Sequence, residues 1–512
     1  MLDKISLENF KSFKQINDLN IKPITVLCGT NSCGKSSILQ SLLLLKQTLE
    51  SQNPNQTLLL NGRFVRLGIF ENIIFQKDVE NKIGLSFSFR ISRGEIQNIQ
   101  RKSSLPIELL LRDLFPPTFV ERVDRPTEYL INYKIELRTT KTRSRQYRLK
   151  PIIVHNLEFN IQAVSKKKES IPGSIIKAQH KSANSYDIEW ENIKIRIPRF
   201  RGEDEINLKD GSHGNLVADL QFSNLFPISF DISELEGNDS RFYRDVQFAL
   251  RRANTLLQTL LTSYSYIGPL REEPSRRYIY EDDILEIGTK GENAAYIYLA
   301  EGEKVVDYYL YDSKSESLKE KKSELSLAVQ EWLEIMGIKK FTPERKNEII
   351  YLNLNASLSD KTRVSIADVG FGVSQIFPIV LEGLRMPRGR TLLLEQPEIH
   401  LHPNLQMEMA DYFISLALSG KKVIVETHSD HIVNRLVRRI VEDEKNELSD
   451  LIGIYFIEST EDGSVYEEVR VDETLGIVNW PNNFFDQVAK EQQKIMMAGL
   501  RKRKSKRTKD EQ

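Results

Sequence analysis

Alternation of apolar and polar positions divides this chain before any motif is considered. From about residue 80 to 200, apolar residues recur at every second position, as in Ile131, Tyr133, Ile135 and Leu137 and again in Ile188, Trp190, Ile193, Ile195 and Ile197. Successive strand residues face opposite sides, so this period predicts a half-exposed antiparallel sheet, with polar connectors such as Lys166 to Ser170. Helical spacing takes over in 243–264, through Val246, Leu250, Leu256, Leu257, Leu260 and Leu261, and again in 321–336. Ile5 to Phe13, Ile21 to Cys28, 348–355, 362–366 and Lys421 to Glu426 read as further strands. Thr391 to Leu394 has the length and composition of a strand buried on both faces of a parallel sheet. Helices are expected over Ser37 to Glu50, which holds no Gly or Pro, over Ile376 to Leu384, and after His431 through Glu447.

Composition adds bounds to this picture. A chain of 512 residues outgrows one small core and predicts two or more domains or lobes. Lys plus Arg (72) balance Asp plus Glu (72), so a contact with nucleic acid would need a local patch. One such patch exists, where Arg501 to Lys509 carry seven positive charges; it reads either as a solvated tail or as a phosphate-binding arm. Two cysteines, Cys28 and Cys33, are too few for a disulfide framework and read as reduced thiols. Met1 to Ser6 lacks a signal-peptide core, and the leucine run 42–45 falls far short of a membrane span. These features point to a soluble cytoplasmic protein without a membrane partner.

The chemistry concentrates at strand ends. Strand 21–28 runs into Gly29-Thr-Asn-Ser-Cys-Gly-Lys-Ser36, a G-x-x-x-x-G-K-S loop followed by the leucine-rich helix it requires. There the amides of Asn31, Ser32, Cys33, Gly34 and Ser37 can close around phosphates, Lys35 can reach the β and γ phosphates, and Ser36 can offer its hydroxyl to magnesium. Strand 391–394 ends in Glu395 and Glu398, acids placed where open α/β sheets bind ligands and suited to a hydrated magnesium ion beside phosphates. Asp368 to Gln375 is a second glycine-rich turn opening a helix, with Gly372, Ser374 and Gln375 in its first turn. His428 ends the strand 421–426 and can reach a γ-phosphate if that strand lies beside 391–394. Tyr266 to Arg271, with Pro274, Arg276, Arg277 and Gly288 to Glu292, is either a phosphate contact or a rigid turn with exposed charges. His400, His402, His428 and His431 with Glu395 and Glu398 admit a transition-metal reading, although the phosphate loop already accounts for the acidic strand end.

Taken in order, Phe10-Lys-Ser-Phe13, the loop 29–36, Gly370-Phe-Gly-Val-Ser-Gln375, the run 391–396, His400-Leu-His-Pro403, His428 and Trp480 to Asp486 resemble the ABC-type ATPases of the RecF and SMC kind. The resemblance is closer to short bacterial AAA-type members, similar to antiphage-defence ATPases, that carry a carboxyl-terminal domain of unknown function. It implies an α/β P-loop head with a mixed sheet and an inserted, largely antiparallel β-rich region. The implied divisions are 1–80 and 266–460 for the head, 81–265 for the insertion, 461–498 for a small carboxyl-terminal domain and 499–512 for the basic tail.

In that family two ATPs are sandwiched between two heads. The resemblance then gives Lys35 and Ser36 to phosphate and magnesium, Glu395 to the Walker B acid beside magnesium, and His428 to sensing the γ-phosphate. Ser374, Gln375 and the amides near Gly372 face the partner's ATP, and Lys11 contacts nucleotide from the first hairpin. The Q-loop glutamine has no clear counterpart, Gln76 being a candidate. One position departs from the pattern: Gln396 stands where a glutamate commonly orients the attacking water, and an amide cannot take up a proton. Slow hydrolysis follows, unless Glu398 supplies the carboxylate. The implied function is a homo-oligomeric, at least dimeric, ATPase controlling a separate effector such as a nuclease or toxin in antiphage defence. No nuclease motif of the D-x-D type follows His428. A DNA-repair or DNA-binding ATPase and an ATP-stabilised scaffold with little hydrolysis are the alternatives.

Overall fold

The computed structural model describes residues 1–53, 56–99, 107–115, 126–140, 151–167, 169–193, 214–230, 238–279, 286–312, 317–355, 362–481, 484–485 and 487–510. The period-two segments form one antiparallel sheet. It contains β1 (Leu2–Phe10), β2 (Phe13–Asn20), β4 (Ile83–Ser92), β5 (Glu128–Thr139), β6 (Ile152–Val164), β7 (Ser170–Ser182), β8 (Ser185–Glu191), β9 (Gly214–Ser223) and β10 (Phe226–Phe230), while β3 (Ile24–Gly29) leaves for a second sheet. The spatial order is β10-β9-β8-β7-β6-β5-β4-β1-β2. Register explains the alternation: Ile131, Tyr133 and Ile135 lie opposite Phe89, Phe87 and Leu85 on one side and Ile161, Phe159 and Leu157 on the other. All nine are buried, and each cross-strand pair contributes about 0.2–1 kcal/mol. Helix Asn238–Leu261 closes this face with its apolar side, including the buried Val246, Leu250, Leu256, Leu257, Leu260 and Leu261. Ile195 and Ile197 lie outside the described residues.

Because β1 pairs with β4, this sheet runs through the 80/81 boundary drawn from sequence texture. The β-rich segment finds its edge partner in the amino-terminal hairpin, a pairing that local pattern does not encode. A bulge where Glu136 and Leu137 face Asn156 and Val154 displaces His155. Its Nδ1 is buried without a hydrogen-bond partner, and burial, with the charges of Arg138 and Lys82, lowers its imidazole to about 4. The unfolded chain takes up this proton near pH 6.5 and the folded chain only near 4, so the contribution to stability is lost as pH falls through that window. His155→Gln is expected to flatten the fall in melting temperature over this range; an unchanged slope would remove His155 from the acid response.

The buried runs form the second sheet. It is ordered β11 (Tyr264–Ile267), β18 (Thr391–Glu395), β19 (Lys422–Glu426), β3, β20 (Ile452–Thr460) and β21 (Gly463–Glu468), parallel except for the antiparallel β20–β21 edge. Two-sided burial is literal here: Leu393 and Ile424 join the core beneath the antiparallel sheet, whereas Leu392, Leu394, Val423 and Val425 join the opposite core. That opposite face is covered by helices Phe371–Arg385, Pro403–Leu418 and Asp430–Glu442. Residues 278–365 add β12 (Tyr278–Ile279) with β15 (Thr342–Lys346), β16 (Ile349–Asn355) and β17 (Arg363–Ser365), and a hairpin of β13 (Val305–Asp312) and β14 (Ser317–Glu324).

Two helix expectations shift. The helix expected over 321–336 begins at Leu325, because 321–324 pair with β13. The helix expected through Glu447 stops at Glu442, where the Asp443 carboxylate accepts the amides of Lys445 (3.2 Å) and Leu448 (2.8 Å) and turns the chain. The 460/461 boundary falls inside the β20–β21 hairpin, and the basic run 501–509 continues the helix Gln487–Asp510.

Candidate nucleotide site

The phosphate loop leaves β3 at Gly29 and enters helix Lys35–Leu49. Its glycines are demanded by space and by backbone. A Cβ on Gly29 (φ 146°) would lie 2.0 Å from the Ile457 carbonyl oxygen of β20, and one on Gly34 (φ 98°) 2.2 Å from Ser12 Oγ. Thr30, Asn31 and Ser32 form the exposed crest, and Cys33 is buried beneath it. Lys35 is 4% exposed, and its Nζ donates to Gly29 O (3.2 Å) and Thr30 O (2.6 Å). Ser37 is buried and its amide closes the first helical turn on Gly34 O at 2.9 Å.

Three parallel strands end beside this loop. The register sets Glu395 of β18 directly opposite Glu426 of β19, and Glu426 opposite Leu27 of β3. Tyr266 of β11 donates its hydroxyl to Glu395 Oε1 at 3.0 Å, and Ser36 donates its hydroxyl to Glu426 Oε1 at 2.9 Å. Burial raises the Glu395 carboxyl, against the lowering effect of the Tyr266 hydrogen bond and the charges of Lys11 and Arg271. Glu426 is pushed up to about 7, first by burial and then by the neighbouring charge of Glu395. Lys11, in the β1–β2 turn, donates to Gln40 Oε1, and burial lowers its pKa while Glu395 raises it. Ser36, Glu395 and Glu426 are hard oxygen donors, and the second oxygen of Glu426 is buried without a hydrogen-bond partner. This set fits magnesium, which takes one or two carboxylates and leaves other positions to phosphate and water.

The turn after β18 is fixed through its backbone. Gln396 adopts φ 44°, and its amide donates to Glu426 O at 2.7 Å. Arg271 is buried and donates to the carbonyls of Glu395 and Gln396, each at 3.0 Å. Burial lowers that guanidinium to about 10 despite the nearby Glu398, Tyr266 and Glu395. Glu398 accepts from Thr427 Oγ1 (2.8 Å) and from the His428 amide (2.6 Å), so its carboxylate braces the turn after β19. His428 itself is exposed, its pKa lowered by burial of part of the ring and by the Lys35 charge. Ser429 caps helix Asp430–Glu442 and donates to Gln406 Oε1 (2.6 Å), while Gln406 Nε2 donates to Leu401 O (2.9 Å).

The structure therefore gathers Lys11, Lys35, Ser36, Glu395, Gln396, Glu398 and His428 around the ends of adjacent strands. The second glycine-rich loop has other neighbours. Gly370 (φ 68°) caps helix Phe371–Arg385, and a Cβ on Gly372 would lie 3.7 Å from the His400 carbonyl oxygen. Ser374 and Gln375 are buried, with Gln375 Nε2 at 3.5 Å from Ser374 Oγ, and Ser374 lines a small cleft with Glu272, Lys290 and Phe377. Gln76 (φ 52°) lies in a turn tied to the first hairpin through the Lys11 amide and Ile73 O at 2.7 Å. No cluster of three or more His, Cys, Asp or Glu side chains suited to a metal occurs among the described residues. The histidine reading accordingly gains no support: His402 accepts from the Asn404 amide at the start of its own helix, and His431 lies 3.7 Å from Asp430.

Residues 1–433 match the family described as AAA ATPase domain. The chain belongs to that family. Residues 449–495 of this ATPase match a second family, described as a protein of unknown function (DUF3696), so the match reaches from the short helix Leu448–Leu451 just before β20 into the last helix. None of the curated proteins matches the ATPase. Solved structures similar to it include an SMC head bound to the C-winged helix domain of ScpA, with 12% identity, TM-score 0.42 and coverage of 92% of this chain and 98% of that one. Another is the SMC head domain from Thermotoga maritima, with 10% identity, TM-score 0.33 and coverage of 92% and 99%. A third is an Smc head with an extended coiled coil bound to the C-terminal domain of ScpA derived from Pyrococcus furiosus, with 10% identity, TM-score 0.38 and coverage of 97% and 99%. The assignment rests instead on the family match, the phosphate loop and the strand order. No helix among the described residues is long and apolar enough to cross a membrane.

Sequence reasoning did not single out Glu426, Tyr266 or Arg271 as site residues of the ATPase. Glu426 carried the signal that picked out Glu395, an acid ending a buried strand. Tyr266 and Arg271 lay in a stretch read as phosphate contact or rigid turn; Arg271 holds backbone carbonyls, and Arg276 pairs with Asp368 at 2.6 Å.

Proposed function

We propose that this ATPase binds ATP with magnesium on the carboxyl ends of β3, β18 and β19, hydrolyses it slowly, and pairs with a second copy around two ATPs. The closed pair controls a separate effector protein, such as a nuclease or toxin, in bacterial antiphage defence within the cytoplasm. The observation carrying the nucleotide reading is the convergence of Lys35, Ser36, Glu395 and the Gln396 turn at three adjacent strand ends. Magnesium, when bound, neutralises phosphate charge; the protein's own part is to hold the phosphates through Lys35 and the loop amides and the cation through Ser36 and Glu395. His428 stands at the end of β19 as the γ-phosphate sensor. The two-copy arrangement is supported by the second glycine loop, which packs on His400 and Leu401 of its own chain and leaves Gly372 half-exposed. The effector and the defence setting are supported by the family resemblance.

Gly372→Glu tests the pairing, because it sets a negative charge where the partner's phosphates would arrive while leaving the phosphate loop intact. ATP with magnesium is expected to double the mass of the wild-type protein in light scattering and to leave Gly372→Glu at its starting mass with ATP still bound. Doubling of the variant would sink the sandwich. A second reading, in which the heads grip DNA, rests on the seven positive charges of 501–509.

A further inference from the structure

We propose that Glu426 is a cation ligand of the nucleotide site, holding magnesium together with Ser36 and Glu395. The inference rests on the ATP-binding reading above and names a ligand that the ABC-type resemblance does not supply. Three observations carry it. First, register places Glu426 level with Glu395 on the neighbouring strand, so the two carboxylates leave the sheet side by side. Second, Glu426 is 5% exposed, and its Oε2 is buried with no hydrogen-bond partner. A buried carboxylate oxygen of this kind calls for a positive partner. The nearest ammonium of the loop, Lys35, donates to Gly29 O and Thr30 O. A divalent cation supplies the direct partner that Glu426 Oε2 lacks.

Third, Glu426 Oε1 accepts the Ser36 hydroxyl proton at 2.9 Å. A hydroxyl has one proton to donate and two lone pairs, so this hydrogen bond leaves the Ser36 oxygen lone pairs available to a metal. One carboxylate thus performs two tasks: Oε1 orients the Ser36 ligand and Oε2 serves as a ligand itself. The preceding residues of β19, Val423, Ile424 and Val425, are fully buried and apolar, so an acid at the next position has no packing purpose.

The test uses the full chain, Mn2+ as the probe and electron paramagnetic resonance to count free ion in the presence of ATP. Glu426→Gln keeps an acceptor for Ser36 and removes the charge, and it is expected to weaken Mn2+ binding by about tenfold or more, as loss of a ligand or its support does. Glu426→Gln is still expected to bind a fluorescent ATP analogue in EDTA, which shows that its nucleotide pocket is folded. Wild-type Mn2+ affinity in Glu426→Gln would overturn the proposal. Glu426→Asp, which retains a carboxylate, is expected to hold Mn2+ more tightly than Glu426→Gln, and the reverse order would also overturn it. If the wild-type protein binds neither the analogue nor Mn2+ with ATP, the nucleotide reading itself fails, and this outcome differs from analogue binding with unaltered Mn2+ affinity.

Discussion

Replacing Lys35 with alanine is expected to abolish the thermal stabilisation conferred by ATP, which amounts to about 2.7 kcal/mol at a hundredfold excess over the dissociation constant. The side chain is nearly inaccessible, and its ammonium is satisfied by two carbonyls of its own loop. The energetic case is that a compact, mobile ammonium can trade those carbonyls for phosphate oxygens, whereas alanine offers nothing in exchange. Because the substitution also removes two hydrogen bonds from the loop, the protein without ATP should lose some stability of its own. The informative quantity is therefore the difference between melting with and without nucleotide for each protein. A variant that keeps the wild-type shift would take Lys35 out of the site.

Gln396→Glu is expected to raise steady-state ATP turnover, on the order of a hundredfold if a missing general base is the chief limit on rate. The backbone of this residue is already set by Arg271, which holds its carbonyl, and by the Glu426 carbonyl, which accepts its amide. The new side chain would start from a fixed backbone. Glu398 is a poor substitute for that role, since its oxygens are occupied by Thr427 and the His428 amide. Unchanged turnover, measured by phosphate release at saturating ATP and magnesium, would place the base elsewhere or make another step limiting.

Much of this site lies within single stretches and was legible there. The loop 29–36 brings its own strand and helix, and Leu392 to Leu394 announce two-sided burial by lacking alternation. What escaped local pattern depends on strand order. Ser36 and Glu426 are 390 positions apart and meet only because β19 lies next to β3. The pairing of β1 with β4 joins segments divided by texture, and Arg271 acquires its meaning from carbonyls more than 120 positions away. Even the early end of the helix at Glu442 turns on one Asp443 carboxylate choosing nearby amides over the helical pattern. Chemistry was readable where one stretch supplies both geometry and reactive group, and unreadable where the sheet assembles them.

The Gln406 amide holds the Leu401 carbonyl with one end and the Ser429 hydroxyl with the other, and Glu398 fastens the same two turns a second time through Thr427 and His428. Two latches thus tie the segment after β18, which carries His400, to the segment after β19, which carries His428. Neither turn can shift alone without breaking hydrogen bonds that hold it to the other, so the two segments are fixed in one mutual arrangement by side chains as well as by the strands that precede them.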